Sequence, residues 1–133
     1  MTQPELEAKR RTIRAMLSIS HFQMRQLGAV SEDRFVRGMV AHLRTKFTAR
    51  AAALSDQQLA AQVQRGMSEA NGHGVVYEDD IRRYLEYLVI YGAPLDQRPH
   101  TPWLADILHQ AGLSGTRKLD LIGEHELQLL RSR

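Results

Sequence analysis

Apolar residues recur along this chain at helical spacing, and the clearest run is Phe35, Met39, Leu43 and Phe47, each four positions from the last. Val36 and Val40 widen that stripe, while Arg34, Arg37, Arg44 and Lys46 take much of the opposite side. Such a pattern predicts an amphipathic helix with its stripe toward a core. Ser31 is its expected N-cap, with Glu32 and Asp33 in the first turn, where free N–H groups favour negative charge. Gly38 costs about 1 kcal/mol relative to alanine inside a helix, so close approach of a neighbouring helix is its expected reason. Ser55 and Gln58 then form a capping box ahead of Leu59, Val63, Met67 and Ala70, and Asn71, Gly72 and Gly74 end that helix.

The next segment, Tyr77 to Gly92, places Ile81, Tyr84, Leu85 and Leu88 on an inward face. Gly92, Ala93, Pro94 and Leu95 make a loop that no helix continues through. Thr101 as N-cap and Pro102 at the first helical position open a helix carrying Trp103, Ile107 and Leu108, closed by Gly112. A last helix spans about Thr116 to Leu130 on Leu119, Ile122, Leu127 and Leu130. Upstream, a thin apolar face (Leu6, Ile13, Leu17) marks a helix from about Glu5, and Ser20 with Gln23 starts a short one through Leu27, ended by Gly28. No segment alternates as a strand does. The class is all-α, a compact bundle of five or six short helices without significant sheet.

The Tyr77–Gly92 segment also raises the question of a partner. Its last residues, Leu88, Val89, Ile90 and Tyr91, are apolar on every face, so the helix is either enclosed by its own domain or covered by another protein. Tyr87 and Val89 fall outside the Ile81–Leu85–Leu88 stripe, whereas Tyr84 and Trp103 read as core. The expected partner-binding surface is therefore Arg83, Tyr87, Val89 and Tyr91 with Leu95 and Asp96 of the following loop, since amphipathic aromatics and arginine are enriched at binding hot spots. The acids Glu78, Asp79 and Asp80 complement the helix dipole; adjacent positions point to different sides and do not converge on a catalytic centre.

Composition narrows the chemistry. At 133 residues, 43% apolar and 25% charged, the chain has the size of one soluble domain, and no stretch reaches the length of a membrane span. No secretory signal stands at the N-terminus, and there is no cysteine, which points to the cytoplasm. Most of the net charge of +3 lies in Lys9, Arg10, Arg11 and Arg14. Residues 1–15 thus read as a basic extension and 16–133 as the helical domain. The histidines at 21, 42, 73, 100, 109 and 125 form no HxxxH or HExxH pair, so no helix offers two metal ligands. Neither a GxSxG nor a phosphate-binding glycine loop is present. No catalytic residue, metal or cofactor is expected. A helix-turn-helix reading of Leu59–Asn71 with Glu78–Tyr91 puts three acids where a recognition helix meets phosphate, which disfavours it.

The segments FVRGMVAHLRTKF, LSDQQLAAQVQRGMSEANGHGVVYEDDIRRYLEYLVIYGAPLD, TPWLADIL and SGTRKLDLI together resemble a family of small helical proteins encoded in bacterial type VI secretion effector clusters. Met39, Val40, His42 and Leu43 match that family's first helix. Gly74, Asp80, Ile81 and Tyr84 match the middle, and Gly92, Leu95, Asp96 and Trp103 the end; at His73 the family pattern more often shows an aromatic. The likeness spans roughly Ile19 to Ile122. It implies a non-enzymatic co-adaptor in the cytoplasm, bound to an effector-loading adaptor chaperone or a type VI effector, with no small-molecule substrate and no membrane contact. Two alternatives stay open: a nucleic-acid-binding regulator using the basic N-terminal segment, and an immunity protein of antitoxin type.

Overall fold

Ser55 shows how local chemistry sets the element boundaries. Its hydroxyl accepts the Gln58 backbone N–H at 3.1 Å, and the Gln58 side chain accepts the Ser55 N–H at 2.9 Å, so two otherwise orphaned donors are satisfied reciprocally. The computed structural model describes residues 29–132, and its regular elements are all helical: α1 (Ala29–Lys46), α2 (Thr48–Ala51), α3 (Asp56–Gly72), α4 (Glu78–Tyr91), a 3-10 turn (Leu95–Gln97), α5 (Pro102–Leu108) and α6 (Gly115–Arg131). No strand occurs among the described residues. The expected N-terminal elements, Glu5–Leu17 and Ser20–Gly28, and the basic segment 1–15 lie outside them.

Several boundaries differ from the sequence reading. α1 starts at Ala29, so Ser31 sits within the first turn and is not the cap. Thr101 precedes Pro102 as expected, but its side chain makes no capping bond and its hydroxyl is buried without a partner. α5 stops at Leu108, with the His109 N–H closing on the Ala105 carbonyl at 2.9 Å, well before Gly112. For α6, Ser114 is the cap, accepting the Arg117 N–H at 3.1 Å.

Helix α1 packs on α3, α3 on α4, α4 on α6 and α6 on α5, while the 3-10 turn lies against α4 and α5. α4 is therefore the central element. It runs antiparallel to α3, as Glu69 meets Tyr84 and Gly66 meets Leu85 and Leu88. Beside α6 it runs parallel, through Asp80 with Thr116, Arg83 with Asp120 and Tyr91 with Glu126. The α1 stripe is core as expected, with Phe35, Val36, Met39 and Leu43 buried; Val63, Ile81, Tyr84, Leu104, Leu119 and Ile122 complete its centre. Each such side chain contributes roughly 1.5–3 kcal/mol by leaving water.

Close helix approach falls on glycines other than Gly38, which is exposed and has nothing within 4 Å of where a Cβ would sit. At Gly66 a Cβ would lie 2.3 Å from Leu85 Cδ2, so the missing side chain is what lets α4 press its leucines onto the α3 backbone. At Gly115 it would lie 2.2 Å from the Gly74 carbonyl oxygen, where the start of α6 abuts the α3–α4 turn. Gly74 itself, at φ +80°, supplies the left-handed conformation of that turn. No described helix is long and apolar enough to cross a membrane.

Candidate functional site

The six residues expected to form one binding surface divide among three environments. Arg83, Tyr87 and Tyr91 turn toward α6. Both terminal nitrogens of Arg83 donate to Asp120 Oδ1 at 3.1 Å, and the Tyr91 hydroxyl donates to Glu126 Oε2 at 2.5 Å. The tyrosines begin a ladder of rings. Tyr87 and Tyr91 have centroids 6.2 Å apart, Tyr91 meets Trp103 edge-on at 5.9 Å, and Trp103 lies 4.2 Å from the His125 ring. Burial, reinforced by the Glu126 carboxylate, pushes the Tyr87 phenol up to about 12 and raises Tyr91 as well, so both stay neutral donors at ordinary pH.

Val89 lies on a different side of α4. It lines a groove with Leu43 and Leu88, and its carbonyl accepts a hydrogen bond from Arg50. Leu95 is fully buried at 0% exposure and cannot touch a partner, because the 3-10 turn tucks it between α4 and α5. Asp96 is also committed inside the molecule: His109 Nε2 lies 2.9 Å from its Oδ2, and His73 Nε2 3.7 Å from the same oxygen. Besides Tyr77 (47% exposed) before α4, the uncovered large apolar residues among those described are Ile90 (44%) at the end of α4, and Leu127 (52%), Leu129 (46%) and Leu130 (61%) on the last turns of α6. Leu127 and Leu130 were expected among the helix's packing positions. They are exposed because α6 continues past Glu126, which meets Tyr91, the last residue of α4.

A second cluster pins the Gly92–Arg98 loop. Glu69 Oε2 accepts both the Tyr84 hydroxyl and, at 2.9 Å, the Leu95 backbone N–H. Lys118, almost fully buried, donates to the His73 carbonyl at 3.0 Å, placing a cation at the C-terminal end of α3, where the helix dipole favours it. Burial raises the Tyr84 phenol far above its ordinary range, and the Glu69 bond adds to this, so the hydroxyl is a fixed donor. These groups take one another and the loop backbone as partners, which makes the cluster a staple between helix ends. The described residues hold no group of three or more His, Asp or Glu side chains arranged for a metal ion. Asp80, read as one of three dipole-complementing acids, is buried and accepts the Thr116 hydroxyl, whereas Glu78 and Asp79 are exposed. Nothing in the local sequence distinguishes it from its two neighbours; only the position of α6 does.

The staple is pH-sensitive. Burial holds the His73 imidazole below its ordinary 6.5, and the His109 hydrogen bond holds Asp96 below its ordinary 3.8. A depressed folded-state value means that the unfolded chain binds protons first, so stability falls as pH falls. For His73 this loss begins near 6.5 and proceeds downward; for Asp96 it begins near 3.8. Thermal melts from pH 7.5 to 5 should show a decline that His73→Asn reduces; an unchanged slope in that variant would remove His73 from the account.

No protein-family model matches this chain, and neither a curated protein nor a solved structure does.

Proposed function

We propose that the chain is a non-enzymatic protein-binding accessory factor of co-adaptor type, acting in the cytoplasm on an effector-loading adaptor chaperone or its type VI effector. The observation that carries the binding part is the uncovered apolar end of the α4–α6 pair. Ile90, Leu127, Leu129 and Leu130 are all 44% exposed or more, and Ile90 and Leu127 stand next in the chain to the Tyr91–Glu126 contact and its ring ladder. Large exposed leucines grouped on one helix end mark interaction surfaces in soluble proteins, and the rigid rings behind them lose little entropy when a partner docks. The MVAHL, YGAPLD and tryptophan-helix motifs supply the type VI part of the reading.

Tyr87 and Val89 are poor probes of this surface, since both pack against the core. Ile90→Asp and Leu127→Asp change exposed positions. Co-expressed with an adaptor chaperone from a type VI effector cluster that carries this chain, each variant should weaken co-purification about tenfold while melting like the parent protein. Retention of full binding by both folded variants would reject the proposed surface. Failure of the parent itself to bind adaptor or effector would reject the type VI reading.

A further inference from the structure

Helices α3 and α4 leave an open groove of about 400 Å³ along the second half of α4. Val63, Leu85, Leu88 and Val89 form its floor, and Ala93 and Pro94 close one end. Past Val89 it runs into a second hollow of about 180 Å³, lined by Phe47, Leu54 and Leu59, with Leu43, Gln62, Leu88 and Val89 common to both. The two hollows are therefore one apolar trough, walled by the antiparallel pair α3 and α4 and, at its far end, by the end of α1 and by α2.

Its rim carries positive charge that the protein leaves unneutralised. Arg65 makes no hydrogen bond or ion pair among the described residues. Arg50, on the wall of the second hollow, donates to the Val89 carbonyl and has no carboxylate partner among the described residues. Four other arginines are paired with acids: Arg44 with Asp56, Arg82 with Asp79, Arg83 with Asp120 and Arg117 with Glu124. One carboxylate lines the groove, that of Glu69, and its Oε2 already accepts two donors. An apolar floor under two guanidiniums without carboxylate partners is complementary to apolar side chains flanked by acids.

We propose that this trough takes an amphipathic helix of a protein partner, whose apolar side chains enter between α3 and α4 and whose carboxylates pair with Arg50 and Arg65. A helix is the occupant because the walls are themselves two helices, into whose groove a third row of side chains fits. The inference rests on the protein-binding reading but uses a different face from the Ile90–Leu127 surface, so each can fail alone.

Two synthetic peptides test it on the full chain, sharing one pattern of leucines at helical spacing and differing only in whether glutamate or lysine flanks them. Fluorescence anisotropy should show the glutamate peptide binding at least about tenfold tighter than the lysine peptide, and weakening as salt screens the charges. Arg65→Glu, at an exposed position with no partner to lose, should reduce glutamate-peptide affinity about tenfold, and Ile90→Asp should leave it unchanged. Equal affinity for both peptides, binding of neither, or indifference to Arg65→Glu overturns the proposal. Self-association of the chain that Arg65→Glu abolishes also overturns it, assigning the trough to a second copy.

Discussion

Alanine at Gly115 is expected to lower the melting temperature by about 15 °C, while alanine at Gly38 raises it by a few degrees. The substitutions are chemically identical and differ only in surroundings. A Cβ at Gly115 meets backbone on three sides: the Gly74 oxygen at 2.2 Å, and the Gly74 carbonyl carbon and Val75 Cα at 2.5 Å each. Backbone atoms cannot rotate aside as a side-chain tip can. The start of α6 must therefore move off the α3–α4 turn, disturbing the Lys118 contact to His73 and the Thr116 contact to Asp80. Overpacking of this kind costs about 3 kcal/mol, a large share of a small domain's stability. Gly38 has nothing within 4 Å, so alanine there gains the helix propensity that glycine lacks, about 1 kcal/mol. Differential scanning calorimetry of the two variants decides it; equal shifts would contradict the close approach of α6.

Glu69→Ala is expected to cost about 3 kcal/mol and to release the Gly92–Arg98 loop. The carboxylate serves two donors at once, the fully buried Tyr84 hydroxyl and the backbone N–H of fully buried Leu95. Removing it orphans both, and each unsatisfied buried donor costs roughly 1–3 kcal/mol. Tyr84→Phe removes one donor and keeps the ring in the core, at about 1 kcal/mol. The double variant should be at least as stable as Glu69→Ala alone, because phenylalanine leaves no hydroxyl to orphan. Urea unfolding gives the energies, and amide exchange at Leu95 should accelerate in Glu69→Ala. Strict additivity would show that Glu69 and Tyr84 do not act together.

Much of the helical framework was legible in the sequence. The Ser55–Gln58 box, the Phe35–Leu43 stripe and the Glu78–Tyr91 limits are set by residues within four positions of one another, and the structure has them where the sequence does. The candidate site was legible only in pieces. Tyr87 and Val89, grouped on one surface by the sequence reading, lie on different sides of α4, and Leu95 is sealed within the core.

By itself, then, the sequence determined the class, most helix limits and which face of each helix is apolar, because capping and amphipathic spacing act over a single helical turn. The tertiary structure alone decided that Gly66 and Gly115, rather than Gly38, are close contacts; that Asp80 is buried while Glu78 and Asp79 are exposed; and that Leu127 and Leu130 outrun the helix that would have covered them. Each of these depends on the offset and rotation of one helix against another, and that is fixed by residues well beyond one helical turn, as with Gly66 and Leu85, Asp80 and Thr116 or Tyr91 and Glu126.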